Sequence, residues 1–182
     1  MADIEIDVPG EFARLHEAFG AFEALRDEGE SARRMRAPEV SGWSVEQHLY
    51  HVALATDLTF RHVRARVAGK GRLIRAEGEL ETRAAEVLAD DATPRGEAEA
   101  PRMVTPDDEV IPEFLAMELR GNRDALAGLE EIAASIPEAQ GWIPHQDLGT
   151  LTAPHWLRFS ALHARHHWAI VRDIRAAVTA AG

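Results

Sequence analysis

Four separate stretches of the 182-residue chain carry apolar side chains at spacings of three and four, and no stretch alternates apolar and polar residues convincingly. That pattern commits the chain to helices packed on helices, because a helix with one apolar stripe must bury it against another such stripe. The expected fold is all-α, a four-helix bundle in a single domain over residues 1–182. The first helix opens at Pro9, carries Phe12, Leu15, Phe19, Phe22 and Leu25 on one face, and stops near Gly29. A basic, proline-containing connector around Arg33 to Val40 leads to Ser44. With Gln47 three positions later, Ser44 forms a capping-box signature for a second helix reaching about Val67, where Gly69 and Gly71 break it.

Between helices two and three lies a long excursion, residues 69–105. It is weakly periodic and acidic and contains Pro94 and Pro101. It has room for a short helix near Glu79 to Leu88 and for a strand or two around Arg72 to Ile74. The third helix is expected after Thr105-Pro106-Asp107-Asp108, with Leu115, Leu119, Leu126, Leu129 and Ile136 on its buried side, ending before Pro137. A loop from Gly141 to Leu151 then reaches Thr152, an N-cap with Pro154 in the first turn of a fourth helix that runs nearly to the C-terminus.

Composition narrows the function. Lys and Arg number 20 against 31 Asp and Glu, a formal charge of −11, so the chain lacks the positive field that draws proteins to nucleic acid or anionic lipid. No run of eighteen apolar residues marks a membrane span, and the start Met1-Ala2-Asp3-Ile4-Glu5 is acidic where a secretory signal is basic and then apolar. A cytoplasmic location, a small-molecule substrate, and neither nucleic acid nor membrane as partner are the expectations. There is no cysteine, which removes thiolate ligands and cysteine nucleophiles together and leaves His, carboxylates, hydroxyls or a metal to do chemistry.

Nine histidines make imidazole the group to follow. Projected at 100° per residue, the fourth helix places Trp156, His163, His167, Ile170, Ile174 and Val178 on one stripe, with Arg158, Arg165 and Arg172 opposite. His163 and His167 thus stand one turn apart on the core-facing stripe, where an unpaired polar group typically costs about 1 to 3 kcal/mol. An i, i+4 pair of histidines is a common helical clamp for a divalent ion. Composition alone yields roughly 0.4 such pairs by chance, so independent support is needed. The second helix supplies it. Glu46, Asp57, Arg61 and Arg64 mark its solvent arc, and the opposite arc holds His48, His51, Ala55 and His62. A third histidine from this helix completes a three-His site with open positions. The helical wheel does not choose between His48 and His51.

The remaining candidates have simpler readings. His166 lies on the flank of the stripe, while His16, His62 and His155 read as ordinary helix residues and His145 has no assigned role. Trp43, Trp156 and Trp168 read as core or groove walls. Asn122, on the apolar side of helix three, reads as a hydrogen bond to a neighbouring helix, and Asp107-Asp108-Glu109 and Glu130-Glu131 as solvated faces.

Two segments resemble the DinB-like superfamily of metalloenzymes. Trp43-Ser44-Val45-Glu46-Gln47-His48-Leu49-Tyr50-His51 is similar to its Trp-Ser/Thr start followed eight residues later by a ligand histidine, a register that selects His51. His163-Ala164-Arg165-His166-His167 resembles its closing His-x-x-x-His pair. His145 to Trp156 further resembles an uncharacterised branch reading His-Pro-x-Phe-Gly-x-Leu-Thr before a Trp-bearing helix start, with Gln146 and Leu148 in place of the usual Pro and Phe. The resemblance implies a DinB-like bundle, often a homodimer, binding zinc or nickel through His51, His163 and His167. It also implies a small-molecule hydrolase or an S-transferase that uses a diffusible low-molecular-weight thiol. His48, His166 and Asp147 are the candidates for a base, whereas Glu46 points away. The competing reading is a non-catalytic binding or stress-related bundle with a structural metal or none.

Overall fold

The computed structural model describes residues 4–90, 93, 95–96 and 99–181. It is mostly helical. The elements are α1 (Val8–Asp27), α2 (Glu30–Arg33), α3 (Val45–Val67), α4 (Thr82–Ala89), α5 (Pro112–Glu130), the strands β1 (Ile143–His145) and β2 (Gly149–Leu151), and α6 (Ala153–Ala181). Single 3-10 turns lie at Arg102–Val104 and Ala133–Ser135. The four long helices pack in a ring, α1 against α6 and α5, and α3 against α6 and α5. Among the described residues no helix is long and apolar enough to cross a membrane.

Each long helix begins where its local chemistry supplies a start. Asp7 accepts the Gly10 N–H at 3.2 Å ahead of α1, with Pro9 in the first turn. The capping box of α3 is complete: Ser44 Oγ accepts the Gln47 N–H at 3.3 Å, and Gln47 Oε1 accepts the Ser44 N–H at 2.9 Å. The chain leaves α1 through Gly29 at φ 103°, a left-handed turn that lets the single turn of α2 fold back just ahead of the expected connector. Phe19 meets Phe22 and Phe60, and Phe22 meets Trp168, joining α1 to α3 and α6. Asn122 donates to the Ala53 carbonyl at 2.8 Å, the helix-to-helix bond expected of it.

The structure departs from the sequence expectations in three places. The third long helix starts at Pro112, not after Asp108. A helix begun at Asp107 would carry Pro112 in its interior, where its ring clashes with a carbonyl one turn back; at the first helical position that cost vanishes. The segment Gly141 to Leu151 is a β-hairpin, not a loop, pairing Ile143 with Leu151 and His145 with Gly149. Its three-residue connection closes on Gly149 at φ 69°. Around residues 72–74 there is no strand: the nearest pairing is the isolated bridge of Arg75 with Trp142, and Leu80 bridges Gly149 similarly. The expected short helix is present as α4.

Two charged residues assigned to solvent are buried. Arg158 on α6 is covered by α4, and it donates to the Leu88 carbonyl at 3.2 Å, to the Asp90 carbonyl at 3.0 Å, and to Glu11 Oε1 at 3.1 Å. Arg165 and Arg172, beyond the reach of α4, are exposed as expected. Glu46 is buried near Arg33 and Arg34, and its burial raises its carboxyl pKa above the usual range even though those arginines oppose the shift.

The Glu11–Arg158 pair yields a stability prediction. Burial pushes the Glu11 carboxyl up, and the charge attraction and hydrogen bonds of Arg158 and Arg14 only partly offset it, so the buried pair depends on both partners being present. Glu11→Ala takes a carboxylate partner from the buried guanidinium. Urea denaturation is expected to show a loss of about 3 kcal/mol, and a loss below about 1 kcal/mol would contradict the account.

Candidate metal centre

Helix α3 carries His48 and His51 one turn after its capping box, and α6 carries His163 and His167 one turn apart on the facing stripe. Apolar neighbours fix both faces: Leu49, Val52 and Ala53 on α3, and Ala161, Leu162 and Ala164 on α6, are fully or almost fully buried. The result is a triangle of imidazoles. Ring centroids stand 4.9 Å apart for His51 and His163, 4.6 Å for His51 and His167, and 4.6 Å for His163 and His167. One ligand nitrogen from each lies within 4.8 Å of the other two, a grouping that could hold a metal ion. His51 is therefore the α3 member of the cluster. His48 points its nitrogens elsewhere, Nδ1 to His167 Nδ1 at 2.9 Å and Nε2 to Ser41 Oγ at 2.9 Å.

The hydrogen bonds behind the triangle settle which nitrogen faces inward. A carbonyl only accepts, so the 2.8 Å contact between His51 Nδ1 and the Val104 carbonyl places the His51 proton on Nδ1. Its Nε2 lone pair then faces inward and accepts from His163 Nε2 at 3.1 Å. Val104 belongs to the excursion, in the 3-10 turn Arg102–Val104, and nothing in the sequence around it marks a contact to the site.

Every ring in the cluster is pushed toward neutrality. His163 and His167 have pKa values held well below the usual imidazole value, first by burial and then by mutual repulsion with the histidines around them. Burial also lowers His51, against the opposing pull of the Val104 carbonyl. His48 is brought down to about 4, again by burial first and then by His51, His166 and Arg95. Among the described residues no carboxylate hydrogen-bonds any of these rings. Three neutral imidazoles gathered at one point, with no anion among the described residues bonded to them, are a donor set suited to a divalent ion such as zinc.

The triangle opens onto a cavity of about 590 Å³, within the size range of small-molecule sites. Trp43, Trp156 and Phe159 form apolar walls, with Trp43 tilted over His51 at 5.0 Å and Phe159 stacked on His163 at 5.7 Å. The remaining histidines divide by position. His166 lines the cavity, donates from Nδ1 to the Thr93 carbonyl at 3.1 Å, and leaves Nε2 as an acceptor. His145, on β1, also lines it; its Nδ1 accepts the backbone N–H of Asp147 at 3.1 Å, so its proton sits on Nε2. Burial brings His145 down to about 4. His62 lies on the same wall, its ring 4.7 Å from that of Trp156, closer to the site than its reading as an ordinary helix residue implied. The Asp147 side chain is exposed at the rim. Away from the cavity, His16 pairs with Glu130 on the surface at 2.8 Å, and His155 Nδ1 accepts the Thr152 N–H at 3.4 Å.

No family model matches the chain, and neither the curated proteins nor the solved structures contain a significant match to it.

Two predictions follow from this geometry. Untagged protein loaded with zinc should retain about one ion per chain by elemental analysis, and the His163→Ala, His167→Ala double variant almost none. Equal retention by both would reject the triangle as the site. The second concerns the metal-free protein. Rings with a depressed folded pKa refuse protons that the unfolded chain accepts, so stability present above pH 6.5 is lost as the pH falls toward 4. The urea midpoint should decline across that window, and less steeply in His145→Gln; identical slopes would contradict the assigned cause.

Proposed function

We propose that this chain is a metal-dependent enzyme of the DinB-like kind, with His51, His163 and His167 holding zinc or nickel at the base of the cavity. It acts on a small organic molecule, by hydrolysis or by S-transfer from a diffusible thiol. The observation that carries this reading is the convergence of three ligand nitrogens within 4.8 Å at the wall of a cavity of about 590 Å³. Structural zinc sites are closed by four protein ligands, whereas catalytic ones keep a position open, and three donors facing an accessible cavity match the second kind. An all-imidazole donor set suits zinc and nickel, and the absence of cysteine means that any thiol comes from outside the chain.

The ion, when bound, supplies Lewis acidity that lowers the pKa of a water or thiol reaching it. The chain's own residues supply the rest. Trp43, Trp156 and Phe159 hold the apolar body of the substrate and exclude water from it. His145 presents its Nε2–H as a neutral hydrogen-bond donor for an oxygen of the substrate. Of the three candidate bases, His48 has both nitrogens engaged and Asp147 is exposed at the rim. His166 fits best, with Nε2 free and its pKa lowered by burial so that the ring is neutral and ready to accept a proton.

The test is direct. Zinc- and nickel-loaded protein is assayed for metal-dependent hydrolysis of ester and lactone panels, and for thiol consumption with an electrophilic acceptor. The cobalt-substituted protein is meanwhile titrated with thiol and azide. Turnover in one assay, lost with chelator and reduced at least about 100-fold in His166→Ala, is the expected result. A cobalt spectrum that neither ligand perturbs, with no turnover in any panel, would indicate a structural metal and overturn the enzymatic reading.

A further inference from the structure

His48 is the histidine that the triangle leaves over, yet it is among the most buried polar residues of the chain at 2% exposure. Both its nitrogens are engaged. Nδ1 lies 2.9 Å from Nδ1 of His167, and Nε2 lies 2.9 Å from Ser41 Oγ, which itself accepts the Trp43 N–H at 3.2 Å in the turn before α3. An Nδ1-to-Nδ1 contact of that length contains a single proton, because two bare lone pairs repel and two N–H groups collide. For two neutral rings this leaves two arrangements. In one, His48 donates, so the proton of His167 sits on Nε2 and that nitrogen cannot ligate. In the other, His167 donates from Nδ1 and has a free lone pair on Nε2, while His48 carries its proton on Nε2 and donates it to Ser41 Oγ. Passing between them moves one proton across each ring, and no proton leaves the protein.

We propose that His48, braced by Ser41, is a positioning residue for the metal centre: it accepts the Nδ1–H of His167 and so holds that ring with Nε2 turned to the ion. This rests on the metal reading of His51, His163 and His167. Ligand histidines usually donate their second N–H to a carboxylate, a carbonyl or water, and that partner fixes both tautomer and ring orientation. Here a neutral imidazole takes that place behind His167, as the Val104 carbonyl does behind His51. With neither partner charged, the field of the ion is not offset from behind, which strengthens its pull on whatever occupies the open face.

Zinc affinity, measured by competition with a chromophoric chelator, separates the possibilities. His48→Phe keeps the ring volume and removes the acceptor, and is expected to weaken binding about 10- to 100-fold. His48→Asn, whose Oδ1 can stand where Nδ1 stood, is expected to recover most of that loss, and Ser41→Ala to give a smaller loss in the same direction. Long-range proton–nitrogen correlation spectra of the zinc-loaded wild type should place the His167 proton on Nδ1 and the His48 proton on Nε2, independently of how any variant folds. Undiminished affinity in His48→Phe, equal weakness in His48→Asn, or a His48 proton on Nδ1 each overturns the assignment. Wild-type protein that binds no zinc overturns the metal reading and this one together, whereas wild-type binding with an unaffected His48→Phe overturns this one alone.

Discussion

Three imidazoles packed against one another, with no acid among the described residues bonded to them, are the constraint around which this molecule is built. Each polar ring costs about 1 to 3 kcal/mol if left without a partner, and protonation is disfavoured first by burial and then by repulsion from the neighbouring rings. Such a cluster persists only where a rigid frame holds it. The frame is the packed pair α3 and α6, whose small and branched side chains around the rings leave little room for repacking. The same frame that makes the rings neutral also aims them at one point. The convergence of the three rings is therefore a by-product of apolar packing.

The excursion between α3 and α5 completes the site instead of decorating it. Val104 orients His51, Thr93 anchors His166, and α4 closes the side of α6 where Arg158 is buried. Arg158 satisfies the carbonyls at the end of α4 and reaches Glu11 on α1, so one guanidinium ties the excursion to two of the four long helices. A buried ion pair is poor evidence of net stabilisation, but it does fix which surfaces meet. Two of the elements it joins, α4 and α6, also line the cavity.

How much of this was legible in the sequence depended on whether the signal was local. The capping box at Ser44 and Gln47, the helical stripes, and the His163–His167 pair are properties of a single helix, and all were readable. The resemblance in the Trp43 to His51 segment singled out His51, the ring that the triangle contains. Glu46 and Arg158 were misplaced because a helical wheel shows which residues share a face and not what covers that face. The start of α5 was misread because an acidic cap signal at Asp107 and Asp108 competes with Pro112, and the steric demand of proline wins. The hairpin escaped notice because each strand is three residues long and one contains Pro144, too little for a period of two to register. Val104 and Thr93 were invisible in principle, since what they contribute is a carbonyl that every residue possesses.

That last point bears on how such a protein can change over generations. The excursion hydrogen-bonds His51 and His166 through main-chain oxygen atoms, so those two contacts place no demand on the side chains of the residues that supply them. Substitutions at positions such as Pro101 or Met103 can redraw the mouth of the chamber while the imidazole geometry beneath stays as it was. A scaffold of this kind separates the cluster of rings from the segment that shapes the approach to it.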